Sequence, residues 1–152
     1  MACQLHFDGK LPRLQYDMTF IRGLVIWLVI ILAESLHGVA RAVLLEPYVG
    51  DFKARQIAVF TGSAMILAIA IATVRWLDAK HFYQLFGVGL LWLCLTLGFE
   101  VFLGRFVIGY SWERIASDYK VFEGGLLPIG LFFMTVAPLV AARVKGIKQT
   151  SE

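Results

Sequence analysis

Three polar residues inside an apolar run are the first place to look for chemistry. Glu34, His37 and Arg41 stand three and four residues apart, a spacing that sets them on one face of a helix. A carboxylate, an imidazole and a guanidinium on one stripe can bind a polar group or accept a proton, because histidine titrates near neutral pH. Further along come Arg55 and Gln56, then Glu100 and Arg105, then Glu123. These eight residues form the candidate site, a ligand-binding or proton-accepting polar cluster. Arg41, Arg55 and Arg105 would suit an anion.

The same residues bound what else the cluster can hold. Glu34, His37, Glu100 and Glu123 make a donor set of mixed nitrogen and oxygen that is compatible with a metal, but their spacing is not diagnostic, and neither a metal nor a cofactor is assigned. A haem held by two histidines is disfavoured, since His6 lies in a polar leader and His81 at the far end of the helices from His37. Cys3 and Cys94 sit in leader and apolar helix respectively, so no disulfide or metal spacing is read from them. No established catalytic signature is present. Gly87-Val-Gly89 lacks the strand-to-helix context of a nucleotide loop, and the serines at 35, 63, 111 and 117 have no base at motif spacing.

The elements that must position these residues follow from composition. The chain has 152 residues, 59% hydrophobic and 16% charged, with a mean hydropathy of +0.75. Soluble domains carry about 25% charged residues, so lipid is expected to solvate much of this surface. From Arg22 to Arg41 and from Arg55 to Arg75, helix would extend about 28 and 30 Å. The runs from Lys80 to Arg105 and from Lys120 to Arg143 would extend about 34–38 Å. Each matches a hydrocarbon core of about 30 Å with some tilt. The expected fold is all-α: an integral membrane four-helix up-down bundle in a single transmembrane domain, with spans near 20–41, 55–76, 82–105 and 121–143.

The connections fit this reading. Residues 45–51 carry Pro47, Gly50 and Asp51, which favour turns. The short link around Asp78 predicts that the second and third helices are antiparallel neighbours. Tyr110 to Arg114 is polar and aromatic, as at a membrane interface, with room for a short helix. Pro128 and Pro138 both fall in the fourth run, each able to kink it. Ala58, Gly62, Ala64, Ala68 and Ala72 in the second run offer small residues for close helix approach. They are read as the tightest internal seam, or as a contact with a membrane-protein partner or a second copy. Glu34-to-Gly38 and Glu100-to-Gly104 repeat a Glu-x-x-x-Gly pattern, and Phe60-Thr-Gly62 is echoed by Phe122-Glu-Gly124, a faint sign of a duplicated helical hairpin.

Alternating direction would bring the eight site residues to one end. Arg41, Arg55, Arg105 and Glu123 have an ordinary explanation there, since long side chains near helix ends reach to the interface. Glu34, His37 and Glu100 lie deeper, about 18 and 22 Å from Arg22 for the first two, where ionised groups are costly and face inward. Of 14 Lys and Arg, the larger share falls on the side of the termini. The positive-inside rule then places both termini in the cytoplasm, with the plasma (inner) membrane as the expected location. The charges form no basic stripe, so nucleic acid is not an expected partner. The leading functional expectation is a binding or accessory subunit of a membrane complex. The alternatives are a small oligomeric transporter or proton-coupled carrier, and an intramembrane enzyme acting on a lipid or quinone.

Overall fold

A computed structural model describes residues 11–79 and 81–148, with side chains from Asp17 onward. The expectations resting on Cys3, His6, Lys10 and Lys80 lie outside the described residues. The described chain is helical. Helix α1 (Leu11–Ala40) runs into a π-helical turn (Arg41–Leu45) and the short α2 (Glu46–Val49). Helices α3 (Asp51–Leu77) and α4 (Phe82–Phe102) follow, and α4 ends in a second π-helical turn (Leu103–Val107). Then come α5 (Trp112–Ser117), a 3-10 turn (Val121–Glu123) and α6 (Leu127–Val144). Four helical stretches are long and apolar enough to cross a membrane: Asp17–Val49, Asp51–Leu77, Phe82–Val107 and Leu127–Val144.

Local chemistry explains the breaks. Gly50 takes φ +81° between α2 and α3, a conformation with little steric cost for glycine. Asp78 ends α3 in the left-handed region at φ 53°. Ser111 caps α5, its Oγ accepting from the Arg114 N–H at 3.2 Å. The fourth long helix starts at Leu127 rather than near residue 121, because Gly124 (φ +88°) turns the chain first. Pro128 therefore lies in the first turn of α6, where its missing N–H has no ladder partner to lose. Only Pro138 is inside the helix, and it is buried.

Helix α1 packs on α3 and α4, and α6 packs on the same two; α3 and α4 have almost no contact with each other. This corrects the expectation that the second and third helices are neighbours. Five peptide steps from Leu77 to Phe82 reach at most about 17 Å, enough to cross the diagonal of a bundle whose adjacent axes lie about 8–10 Å apart. A short link limits the separation of helix ends but does not choose packing faces.

The core gathers Ile26, Trp27, Ile30, Ile66, Val74, Leu85, Val88, Trp92 and Met134. Its polar atoms are satisfied across helices. Trp92 Nε1 donates to Gly23 O at 2.8 Å, and Trp27 Nε1 donates to Thr96 Oγ1 at 3.0 Å. At the closest approach of α4 to α6, Gly89 lies against the Thr135 carbonyl. The small-residue seam divides in two. Ala54, Gly62, Ile66, Ala70 and Val74 are the buried face of α3, while Ala64, Ala68 and Ala72 are exposed. The proposed single seam from Ala58 to Ala72 is thus corrected: the alanines from 64 onward sit about a third of a turn or more away from the buried row.

Candidate functional site

One cavity of about 800 Å³ opens between the ends of the long helices. Seven of the eight residues singled out by sequence line it: Glu34, His37, Arg41, Arg55, Gln56, Glu100 and Glu123. Arg105 does not. It lies on the outside of the second π-helical turn, donating to Tyr110 O at 3.1 Å and stacking 5.5 Å from the Trp112 ring centroid.

The deep wall is built by α1 and α3. Glu34 lies against Gly62, where a β-carbon would stand 2.9 Å from Oε2. The missing side chain is what lets the carboxylate fit between the helices. Three residues on, His37 Nδ1 lies 3.6 Å from Glu34 Oε2, and Nε2 is 2.9 Å from Thr61 Oγ1. The Thr61 hydroxyl is within reach of the Ile57 and Ala58 carbonyls at 3.2 and 3.3 Å. With that hydroxyl donating to its own helix, the Nε2–H of His37 is the donor to Thr61. The order hydroxyl, imidazole, carboxylate is that of a nucleophile with its base, but Thr61 does not line the cavity and its hydrogen is directed to the backbone. Glu34 Oε1 is buried and has no hydrogen-bond partner. Glu100, on α4, lines the same cavity and makes no hydrogen bond or ion pair among the described residues.

The arginines are otherwise engaged. Asp51, Arg55, Asp118 and Arg114 close a ring of alternating charge. Arg55 reaches Asp51 at 3.0 Å and also pairs with Asp118, while Arg114 lies 3.2 Å from each of the two aspartates. Arg41 lies 3.4 Å from Glu46 and 3.6 Å from Asp51. Among the described residues lining the cavity, three guanidiniums thus face three carboxylates, against the expectation that Arg41 and Arg55 stand free for an anion, although the buried Nε of Arg55 has no acceptor. Gln56 Nε2 donates to Gly124 O at 3.3 Å, tying α3 to the turn before α6. Glu123 sits at the rim and turns to Lys120 at 3.1 Å. Glu34, His37, Glu100 and Glu123 therefore line one cavity without meeting at one point. Among the described residues no three His, Cys, Asp or Glu are placed to hold a metal.

Asp51, Arg114 and Asp118 belong to the site and were not in the sequence-derived set. Their signal was the i,i+4 spacing of Asp51 with Arg55 and of Arg114 with Asp118. Tyr119 follows the ring, half-buried. Its phenol is pushed above the usual tyrosine value by burial and by the negative charges of Glu100 and Asp118.

The cavity is closed below. Thr96, Ile66 and Met134 form its floor, and beneath them Ile30, Val88 and Trp92 are 0–1% exposed. Exposed apolar side chains line part of the opening, Val39 on α1, Ile108 after α4 and Phe52 on α3 at 62%, 51% and 48% exposure, beside the exposed Glu123. Nothing lies within 4 Å of a β-carbon built on Gly38, which also lines it. Compared with protein-family models, with curated proteins and with solved structures, the chain finds no match.

Proposed function

We propose that this chain is a multi-pass membrane protein, an up-down bundle with both termini cytoplasmic in the plasma (inner) membrane, and that it is a binding subunit whose cavity takes an amphiphilic molecule entering sideways from the lipid. The observation that carries this reading is a blind cavity that combines exposed apolar side chains, Val39, Ile108 and Phe52, with the polar residues Glu34, His37 and Glu100. A ligand pocket of a few hundred to about 1,000 Å³, mostly apolar with a few polar groups, is the ordinary form of a small-molecule site. Exposed Val39 and Ile108 would cost little in contact with lipid tails.

Membrane embedding is supported by the outward faces of the long helices. Leu32, Leu36, Phe60, Phe102 and Phe132 are 63%, 65%, 64%, 58% and 64% exposed, a distribution that suits hydrocarbon. Alternating direction is supported by two contacts between α1 and α3. Arg22, early in α1, meets Trp76 and Asp78 at the end of α3, and Glu34, late in α1, meets Gly62 nearer the start of α3. The sealed floor weighs against a path through one copy of the chain.

The test is native mass spectrometry of the protein extracted in mild detergent. An amphiphile should stay bound to the wild type and to Gly98→Phe, because nothing lies near Gly98 and it does not line the cavity. It should be lost from Gly38→Phe, which fills the mouth. Equal retention by all three would sink the proposal.

A further inference from the structure

We infer that the polar end of the bound amphiphile is a protonated amine. The inference rests on the cavity being an amphiphile site, and it concerns which headgroup that site selects.

The cavity holds more negative charge than its arginines match. Around the cavity the guanidiniums of Arg41, Arg55 and Arg114 are matched by Asp51, Asp118 and Glu46. Lys120 and Glu123 match each other at the rim. Among the described residues, two carboxylates in the cavity lack a full ion-pair partner, the partly buried Glu34 and the exposed Glu100, while the buried Nε of Arg55, whose guanidinium is already matched by two aspartates, has no acceptor. One Glu34 oxygen has only His37 at 3.6 Å, and the other is buried with no hydrogen bond. Glu100 has no ion pair or hydrogen bond among the described residues. Whether His37 carries one proton or two, at least one carboxylate is uncompensated.

The buried Oε1 of Glu34 is costly to leave without a donor or cation, and Glu100, exposed to the cavity, adds a second negative charge without a partner among the described residues. An ammonium supplies three N–H donors and a positive charge in one compact group. A sulfate or phosphate would meet carboxylates, beside arginines that are already paired. Carboxylates together with exposed apolar side chains thus favour a cationic head on an apolar tail. Both a lipid such as phosphatidylethanolamine and a free alkylamine offer this chemistry.

The experiment uses the full chain in phosphatidylcholine nanodiscs, with dodecylamine, dodecanol and dodecyl sulfate as probes and Kd as the readout. Dodecylamine should bind at least about tenfold tighter than dodecyl sulfate, the range a charged hydrogen bond supplies. Glu100→Gln should lose about tenfold for the amine, by the same reasoning, and little for the alcohol. Retained alcohol binding shows that Glu100→Gln is folded. Amine affinity unchanged in the Glu34→Gln, Glu100→Gln double variant, or sulfate bound as tightly as amine, overturns the inference while leaving an amphiphile site in place. If none of the probes distinguishes wild type from Gly38→Phe, the cavity reading itself fails and this inference with it. Competition by phosphatidylethanolamine added to the discs would assign the amine to a lipid, and its absence to a free amine; either supports the amine site.

Discussion

A β-carbon on residue 62 would stand 2.9 Å from Oε2 and 3.0 Å from Oε1 of Glu34, so the identity of one residue on α3 sets the position of the carboxylate on α1. The atoms in the way are the far end of a flexible side chain. Gly62→Ala is therefore expected to fold, the helix gaining about 1 kcal/mol of propensity against the cost of moving the carboxylate. Its stability should stay within about 1 kcal/mol of wild type, while amine affinity falls as Glu34 leaves its place. Denaturation in parallel with the Kd measurement checks both halves. A variant that unfolds would show that α3 cannot give way there.

Gly89 gives the opposite result for a physical reason. Its added β-carbon would overlap the Thr135 carbonyl, which is helix backbone and cannot swing aside. Gly89→Ala should destabilise by at least about 2–3 kcal/mol, the usual cost of overpacking. The measurement is the same denaturation series, and a near-neutral value would count against the α4–α6 contact.

The charged ring links residues far apart in the chain. Asp51 and Arg55 lie on α3, Arg114 on α5, and Asp118 just after α5. A double-mutant cycle of Arg55→Ala and Asp118→Ala should return a coupling of about 1 kcal/mol, as for partly exposed pairs. Their side chains are 26% and 33% exposed, so the coupling should shrink with added salt. A coupling of zero at low salt would mean that the ring does not hold α5 against α3.

Tyr119 reports on the charge of the cavity. Burial first, then Glu100 and Asp118, raise its phenol above the ordinary value of 10.0. Absorbance titration should show a phenolate forming only above pH 10.0, and Asp118→Asn should bring the transition down. The sign for stability follows from linkage. The folded state holds this proton more tightly, so the contribution is complete below pH 10.0 and is lost as pH rises through the raised value. A Tyr119 transition that ignores Asp118→Asn would place the two groups out of electrostatic reach.

Trp27 and Thr96 hold α1 to α4 at the cavity floor. Thr96→Val keeps the volume, but it removes the acceptor 3.0 Å from Trp27 Nε1 and leaves a buried N–H unpaired. A loss of about 1–2 kcal/mol is expected, read by thermal or chemical unfolding. No loss would indicate that the indole finds another acceptor.

Some of this was legible in sequence because it depends on chain distance alone. The four apolar stretches follow from length and hydropathy, and the breaks at Gly50 and Asp78 from their residue types, whereas Pro47 lies within α2 and breaks nothing. That Glu34, His37, Arg55, Gln56 and Glu100 would share one cavity followed from their positions along the four apolar runs, on the expectation that the helices alternate. Even the halves of the charged ring were visible as i,i+4 pairs, Asp51 with Arg55 and Arg114 with Asp118.

The sequence by itself determined which segments are apolar helices and which end of them is polar. Tertiary structure decided which faces meet. Helices that are apolar nearly all round carry no stripe to declare a buried side, so their rotation and neighbours were not encoded in periodicity. That is why α4 packs on α1 and α6 rather than on α3, and why Ala64, Ala68 and Ala72 face outward. It is also why Arg105 falls outside the cavity while Asp118, 63 residues from Arg55, closes the ring within it. Only the folded arrangement pairs Arg41, Arg55 and Arg114 with carboxylates from other segments and leaves Glu34 and Glu100 in the cavity without an ion pair to an arginine or lysine among the described residues.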